Sequence, residues 1–172
     1  FVTQYYGNSL VLYSYSKSLS LPGERIGYIL VSSRAQNAKG IYEAICGAGR
    51  ALGYVCAPSL LQYTVAECAD LLPDLTVYRR NRDLLYGALT ACGWEVVPPD
   101  GAFYLFVRTP VPDAAAFCEY AKRYELLLVP GDDFGRPGYV RIAYCVDTEQ
   151  LERSLPRFRA LAEEYRNGEA AK

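Results

Sequence analysis

The densest concentration of chemically able side chains lies in one stretch, Ser14-Tyr15-Ser16-Lys17-Ser18-Leu19-Ser20-Leu21-Pro22-Gly23-Glu24-Arg25-Ile26-Gly27-Tyr28. Lys17 directly follows an apolar, strand-like run. A Lys at a buried strand end sits in a partly apolar setting, where its pKa falls and its amine becomes available as a nucleophile. Lys is scarce here: only residues 17, 39, 122 and 172 among eighteen basic side chains. Hydroxyls at 14, 16, 18 and 20 surround Lys17, and the Pro22-Gly23 turn can bring Arg25 back toward them. An amine flanked by hydroxyls and a guanidinium suits a carbonyl cofactor that also carries a phosphate. The amine forms a Schiff base at one end, while Arg and Ser hold the dianion at the other. On composition alone the same stretch also reads as a Ser-rich turn with a solvated Lys.

The rest of the composition narrows the chemistry. The 172 residues include no His, which excludes Ser–His and Cys–His nucleophiles, an imidazole base and His-ligated metal. At 51% apolar and 22% charged the chain can bury a core as one domain or two small ones. A net charge of −1 gives no electrostatic reason to expect nucleic acid or an anionic membrane. The six Cys, at 46, 56, 68, 92, 118 and 145, form no CxxC pair. Most lie in apolar runs and read as small core hydrophobes in a reducing cytoplasm. No apolar run is long enough to span a membrane, and no secretion signal is visible. Asp132-Asp133 lacks companions for a metal site, so no metal is expected. Arg50, Arg79, Arg80 and Arg82 read as solvated helix charges. The chain opens on Phe1-Val2-Thr3 in what reads as mid-domain sequence, as a fragment or trimmed product would.

The elements that must position these groups follow from periodicity. Strands are expected over 9–16 and over 25–31, the second with few polar positions and so buried on both faces. Helices are expected over 35–52 and 58–72. A third helix runs from Pro73 to about Cys92, with Leu75, Tyr78, Leu85 and Leu89 on one side and Gly93 as its stop. Four strand-like runs follow, at 94–97, 102–108, 126–129 and 139–145, with a helix over 113–124 between the second and third. A closing amphipathic helix spans 147–166, capped by Asp147 or Thr148, and residues 167–172 are expected to fray. The chain therefore divides into residues 1–74, two strands and then helices, and residues 75–172, an α+β unit with its own core.

The Ser14–Tyr28 string resembles the lysine signature of the fold-type I pyridoxal-phosphate (PLP) aminotransferases of class I/II, S-x-S-K-x-[hydrophobic]-x-[hydrophobic]-[Pro/Ala]-G-x-R-[hydrophobic]-G. Ser14, Ser16, Lys17, Leu19, Leu21, Pro22, Gly23, Arg25, Ile26 and Gly27 fill its constrained places. The resemblance implies that Lys17 is the Schiff-base lysine and proton shuttle, and that Ser14 and Arg25 bind the PLP phosphate. Ser16 is a further cofactor-binding candidate, with strand-end packing as its alternative role. Downstream, Pro98 to Tyr104 looks like the family's P-x-G-[AG]-[FM]-[FY] segment, and Val129 to Gly135 is similar to its V-x-P-G-x-x-F-G loop. Gly138 to Tyr144 resembles the strand whose Arg, here Arg141, grips the substrate α-carboxylate. Gly101, Phe103 and Phe134 are pocket-lining candidates that serve equally as core.

The implied fold is α/β and α+β. Residues 1–74 are the C-terminal edge of a large PLP-binding domain, two strands plus helices. Residues 75–172 are a small α+β domain with a mainly antiparallel sheet. The implied activity is transfer of an α-amino group from an amino acid to a 2-oxo acid, by a cytoplasmic homodimer. The rivals are a PLP-dependent lyase or synthase of the same fold, and a non-catalytic scaffold. The family's ring-nitrogen Asp and other ring contacts lie before the lysine segment and have no place in Phe1 to Tyr13, so this chain alone is expected to be nearly inactive. Its first two strands lack neighbours, which predicts exposed apolar faces at Leu10, Leu12, Ile29 and Leu30 and a tendency to self-associate.

Overall fold

A computed structural model describes residues 1–168. The chain divides into two compact units, Phe1–Pro73 and Asp74–Lys172.

In the first unit a helical turn, α1 (Val2–Tyr5), precedes β1 (Leu10–Ser14), a second helical turn α2 (Tyr15–Ser18), and β2 (Gly27–Val31). Helices α3 (Ala38–Ala51) and α4 (Ser59–Glu67) complete it. β1 and β2 pair antiparallel, from Leu10 opposite Val31 to Ser14 opposite Gly27. The expected first strand therefore stops two residues early. Ser14 accepts a hydrogen bond from the Ser16 amide at 3.2 Å, and this cap turns Tyr15 and Ser16 into helix. The 25–31 run is not buried on both faces: the two strands form a sheet of their own, and no residue of β2 is fully buried. An apolar run marks a buried strand only where something lies against it. The apolar faces expected at Leu10, Leu12, Ile29 and Leu30 are exposed. Helix α4 ends at Glu67, five residues short of the expectation, and only its Val65 is buried.

The second unit runs α5 (Thr76–Ala91), β3 (Val96–Val97), β4 (Tyr104–Arg108), α6 (Ala114–Ala121), β5 (Val129–Pro130), β6 (Tyr139–Ala143) and α7 (Thr148–Arg166). The four strands make an antiparallel sheet in the order β3-β4-β6-β5. Alternation sorts its two faces. Leu105, Val107, Val140 and Ile142 are buried with Leu85 and Leu89 of α5, Phe117 of α6 and Phe158 and Leu161 of α7. Residues 104, 106, 139 and 141 point the other way. The helix stops match their signals: Gly93, just beyond α5, has φ +83°, and Asp147 caps α7 by accepting from the Glu149 amide at 2.8 Å.

Three expectations fail here. The 126–129 strand reduces to Val129–Pro130, because the Leu126 amide bonds back to the Ala121 carbonyl at 3.2 Å across the 3-10 turn Lys122–Tyr124 that follows α6. Helix α5 starts at Thr76, after Asp74 has taken its amide, and Leu75 and Tyr78 stay exposed. Of the six cysteines, all unpaired, only Cys118 is buried, where desolvation pushes its thiol up to about 11. Cys145 follows buried Tyr144 and faces out, since neighbouring side chains in extended chain alternate. Of the end expected to fray, residues 169–172 lie outside the described residues.

Asn81 is a fully buried polar residue on α5. Its amide donates to the carbonyls of Tyr144 at 3.1 Å and Val146 at 2.8 Å, and its oxygen accepts from the Thr148 hydroxyl at 2.8 Å. One side chain thus satisfies the chain between β6 and α7. Asn81→Ala strands one buried and one partly buried carbonyl and should cost about 2–4 kcal/mol, read by urea unfolding with Trp94, the single Trp, as reporter. A midpoint within error of the parent would contradict this role.

A second clip joins the helices. Glu164 on α7 accepts the Tyr120 hydroxyl at 2.6 Å and the Tyr124 hydroxyl. These bonds hold its carboxyl below the ordinary range, with the Tyr120 bond the larger cause. A lowered folded pKa adds stability above the unfolded value of about 4.3 and loses it as pH falls through the folded one. Glu164→Gln should therefore flatten the acid side of the stability profile below pH of about 5, measured as unfolding midpoint against pH.

Candidate active site

In the first unit the Ser/Lys cluster sits where the hairpin ends. Gly27, opposite Ser14, is there of necessity: a Cβ on it would lie 2.2 Å from the Tyr13 carbonyl oxygen and 3.2 Å from the Ser14 Cα. The Tyr15 amide then donates to the Ile26 carbonyl at 3.1 Å, carrying the pairing one step past the strands. Ser14 donates to the Ser16 hydroxyl at 2.8 Å. Lys17 stands next, exposed, on α2. β1 has no fully buried residue, so the buried strand end expected beside Lys17 is not formed within this unit.

The connection back is folded tightly. Ser20 and Arg25 both hold left-handed backbone, at φ +55° and +52°, which non-glycine residues adopt at a cost. One N–H of Arg25 donates to the Pro22 carbonyl at 2.8 Å and closes the turn. Tyr13 and Tyr28, opposite each other across the strands, stack at 5.3 Å, and Tyr15 meets Tyr13 edge-on at the same distance. Burial within this trio raises the Tyr15 phenol, with Tyr28 and Tyr13 adding to it.

The donor set of this turn fits a phosphorylated aldehyde. The Ser16 hydroxyl, engaged as an acceptor, keeps its proton to give, and Arg25 commits one of its N–H groups to Pro22. The structure thus places Ser14, Ser16 and Lys17 in succession, with Arg25 next to Ile26, the residue that pairs with Tyr15.

In the second unit Arg141 lies at the middle of β6, opposite Phe106 on one side and Val129 on the other. It shares the outer sheet face with Tyr104. Its guanidinium carbon stands 3.9 Å from the Phe134 ring centre and 4.3 Å from the Tyr104 ring centre. Such contacts contribute about 0.5–2 kcal/mol each, according to exposure. Phe134, a pocket-lining candidate from sequence, is thus beside Arg141, whereas Phe103 packs against the Tyr104 ring at 4.5 Å and the core. Sequence reasoning missed Tyr104 and Asn81. Tyr104 was legible in principle, since a strand residue two places from the one opposite Arg141 shares its face. Farther along the same face Glu95 takes Arg108 at 3.0 Å and the Tyr139 hydroxyl at 3.3 Å, and Arg108 chiefly holds its carboxyl low.

Comparison with known proteins gives the family. The model of aminotransferase class I and II matches residues 2–158, and the chain belongs to that family. Its members use pyridoxal phosphate. An amino transferase of Eubacterium rectale superposes with a TM-score of 0.92 at 55% identity, over 96% of this chain and 42% of that one. The aspartate aminotransferase of Thermotoga maritima is 26% identical over 91% of this chain and 40% of its own length, with a TM-score of 0.78. An aspartate/prephenate aminotransferase of Thermus thermophilus is 43% identical over 83 residues, 47% of this chain and 22% of its own. The chain spans at most about two-fifths of the length of these curated relatives. Among the described residues no helix is long and apolar enough to cross a membrane.

Gly27→Ala should break the close approach on which the site turn depends. The expected result is at least about tenfold faster hydrogen exchange at the Tyr15 amide. Unchanged protection would mean that Gly27 is replaceable.

Proposed function

We propose that the chain is the C-terminal part of a PLP-dependent aminotransferase that moves an α-amino group from an amino acid to a 2-oxo acid. Residues 1–74 are read as the closing piece of the large cofactor domain, and residues 75–172 as the small domain. The carrying observation is the arrangement of Ser14, Ser16, Lys17 and Arg25 around one hairpin end whose Gly27 admits no side chain.

In this reading Ser14, Ser16 and Arg25 hold the phosphate, the guanidinium by charge-assisted hydrogen bonds. Bound there, the cofactor supplies an aldehyde carbon for the amino group and a ring that withdraws electrons from the substrate α-carbon. Lys17 would hold the cofactor through its amine and, once that amine is free, would serve as the base that takes the proton from the α-carbon and returns it. Arg141 receives the α-carboxylate through its planar N–H edge. Being fixed mid-strand, it orients the α-carbon rather than merely attracting the anion. The unpaired cysteines support a reducing, cytoplasmic setting. A homodimer is part of the proposal, by analogy with the family.

The test is titration of the chain with PLP and with pyridoxal, which lacks the phosphate, followed by Schiff-base absorbance. PLP should bind at least about tenfold tighter, and Arg25→Ala should bring the ratio to within about threefold. Lys17→Ala should remove the absorbance change. Equal affinity for the two aldehydes in the parent chain would contradict the phosphate clamp.

A further inference from the structure

Arg141 is half-buried, and among the described residues it forms no ion pair; its guanidinium lies over two aromatic rings. A guanidinium presents its N–H groups around its rim and its π faces above and below. Rings that lie under the guanidinium carbon carry no carboxylate to occupy its N–H groups, which stay available to a ligand. The two rings here come from separate elements, and each is fixed by backbone. Tyr104 is a β4 residue paired with Ala143, on the same side of the sheet as Arg141. Phe134 ends a single 3-10 turn, Asp132–Phe134, whose loop is drawn tight around Gly131.

That loop is closed by the Gly131 amide on the Tyr139 carbonyl at 2.7 Å, with the Phe134 and Arg136 amides both on the Gly131 carbonyl at 2.9 Å. A Cβ at Gly131 would lie 2.4 Å from the Arg136 oxygen and 2.8 Å from the Tyr139 oxygen, so the loop admits only glycine there. The outcome is an apolar ring 45% exposed to solvent yet held over a cation. Core packing does not account for a ring so placed.

We propose that Phe134 and Tyr104 are positioning residues that fix the plane of the Arg141 guanidinium, so that its N–H rim forms a fixed fork for the α-carboxylate. This rests on the reading of Arg141 as the carboxylate anchor. The clamp replaces the acidic partner that commonly holds a buried Arg. A carboxylate neighbour would compete with the substrate for the same N–H groups, whereas a ring does not. Lys could not take the place of Arg141 in such a clamp, since an ammonium has no plane to fix.

The experiment is side-chain nitrogen NMR of the intact chain, reading the order parameter of the Arg141 Nε–H bond and its shift on addition of acetate. In the parent the order parameter should be near the rigid value of about 0.85, and a value below about 0.6 overturns the clamp whatever the variants do. Phe134→Leu and Tyr104→Leu should each lower it and weaken acetate about threefold, while Phe134→Tyr, which keeps the ring, should restore both. Acetate binding lost in Arg141→Ala but equal in Phe134→Leu and the parent overturns the clamp and keeps the anchor. Acetate shifts absent from the parent, or unaffected by Arg141→Ala, overturn the anchor itself.

Discussion

Strand register is the constraint on which both candidate sites depend. In the second unit Leu105, Val107, Val140 and Ile142 point into the core, and this leaves Arg141 on the outer face beside Tyr104. A slip of one residue would carry the guanidinium into an apolar interior, at a cost far beyond the stability of a small unit. The core therefore fixes the place of Arg141 without touching its guanidinium. In the first unit no buried face does this, since Leu10, Leu12, Ile29 and Leu30 are exposed. Register there is set by the approach of the Gly27 backbone to the Tyr13 carbonyl, which a neighbour such as Ile26 or Tyr28 could not make.

Around these two registers, polar groups hold the turns. Asn81 ties down the segment that leaves β6, and Tyr144, whose carbonyl it binds, reaches back to the Ala102 carbonyl at 2.8 Å. Ala102 is left-handed, at φ +59°, just before the strand that carries Tyr104. The Arg25 bond to Pro22 does similar work in the lysine hairpin. In both units the residues of chemical interest stand within a few positions of backbone that is strained or closely approached, a pattern expected where geometry is held by surrounding contacts.

Much of this was legible beforehand because it is local. The order Ser14, Ser16, Lys17, Pro22, Gly23, Arg25, Gly27 identifies its turn, and Gly93 and Asp147 mark helix ends by their own conformations. What escaped is what depends on partners far along the chain. Apolar 25–31 promises burial, but a run of residues does not say what lies on it. Cys46 and Cys145 look like core by their neighbours, yet neither is buried. Asn81 interrupts an apolar stripe and reads as a gap, because its partners are more than sixty residues away. Arg141 was found by its strand, whereas its contact with Phe134 depends on how the Gly131 loop closes, which spacing does not encode.

The central claim is that the hairpin end built from Ser14, Lys17 and Arg25 is a cofactor site, with Lys17 its reacting amine. The most direct measurement is to mix the chain with PLP, reduce with borohydride and map the modified amine by mass spectrometry. The account predicts selective labelling of Lys17 over Lys39, Lys122, Lys172 and the amino terminus. Labelling spread evenly over these amines would contradict it.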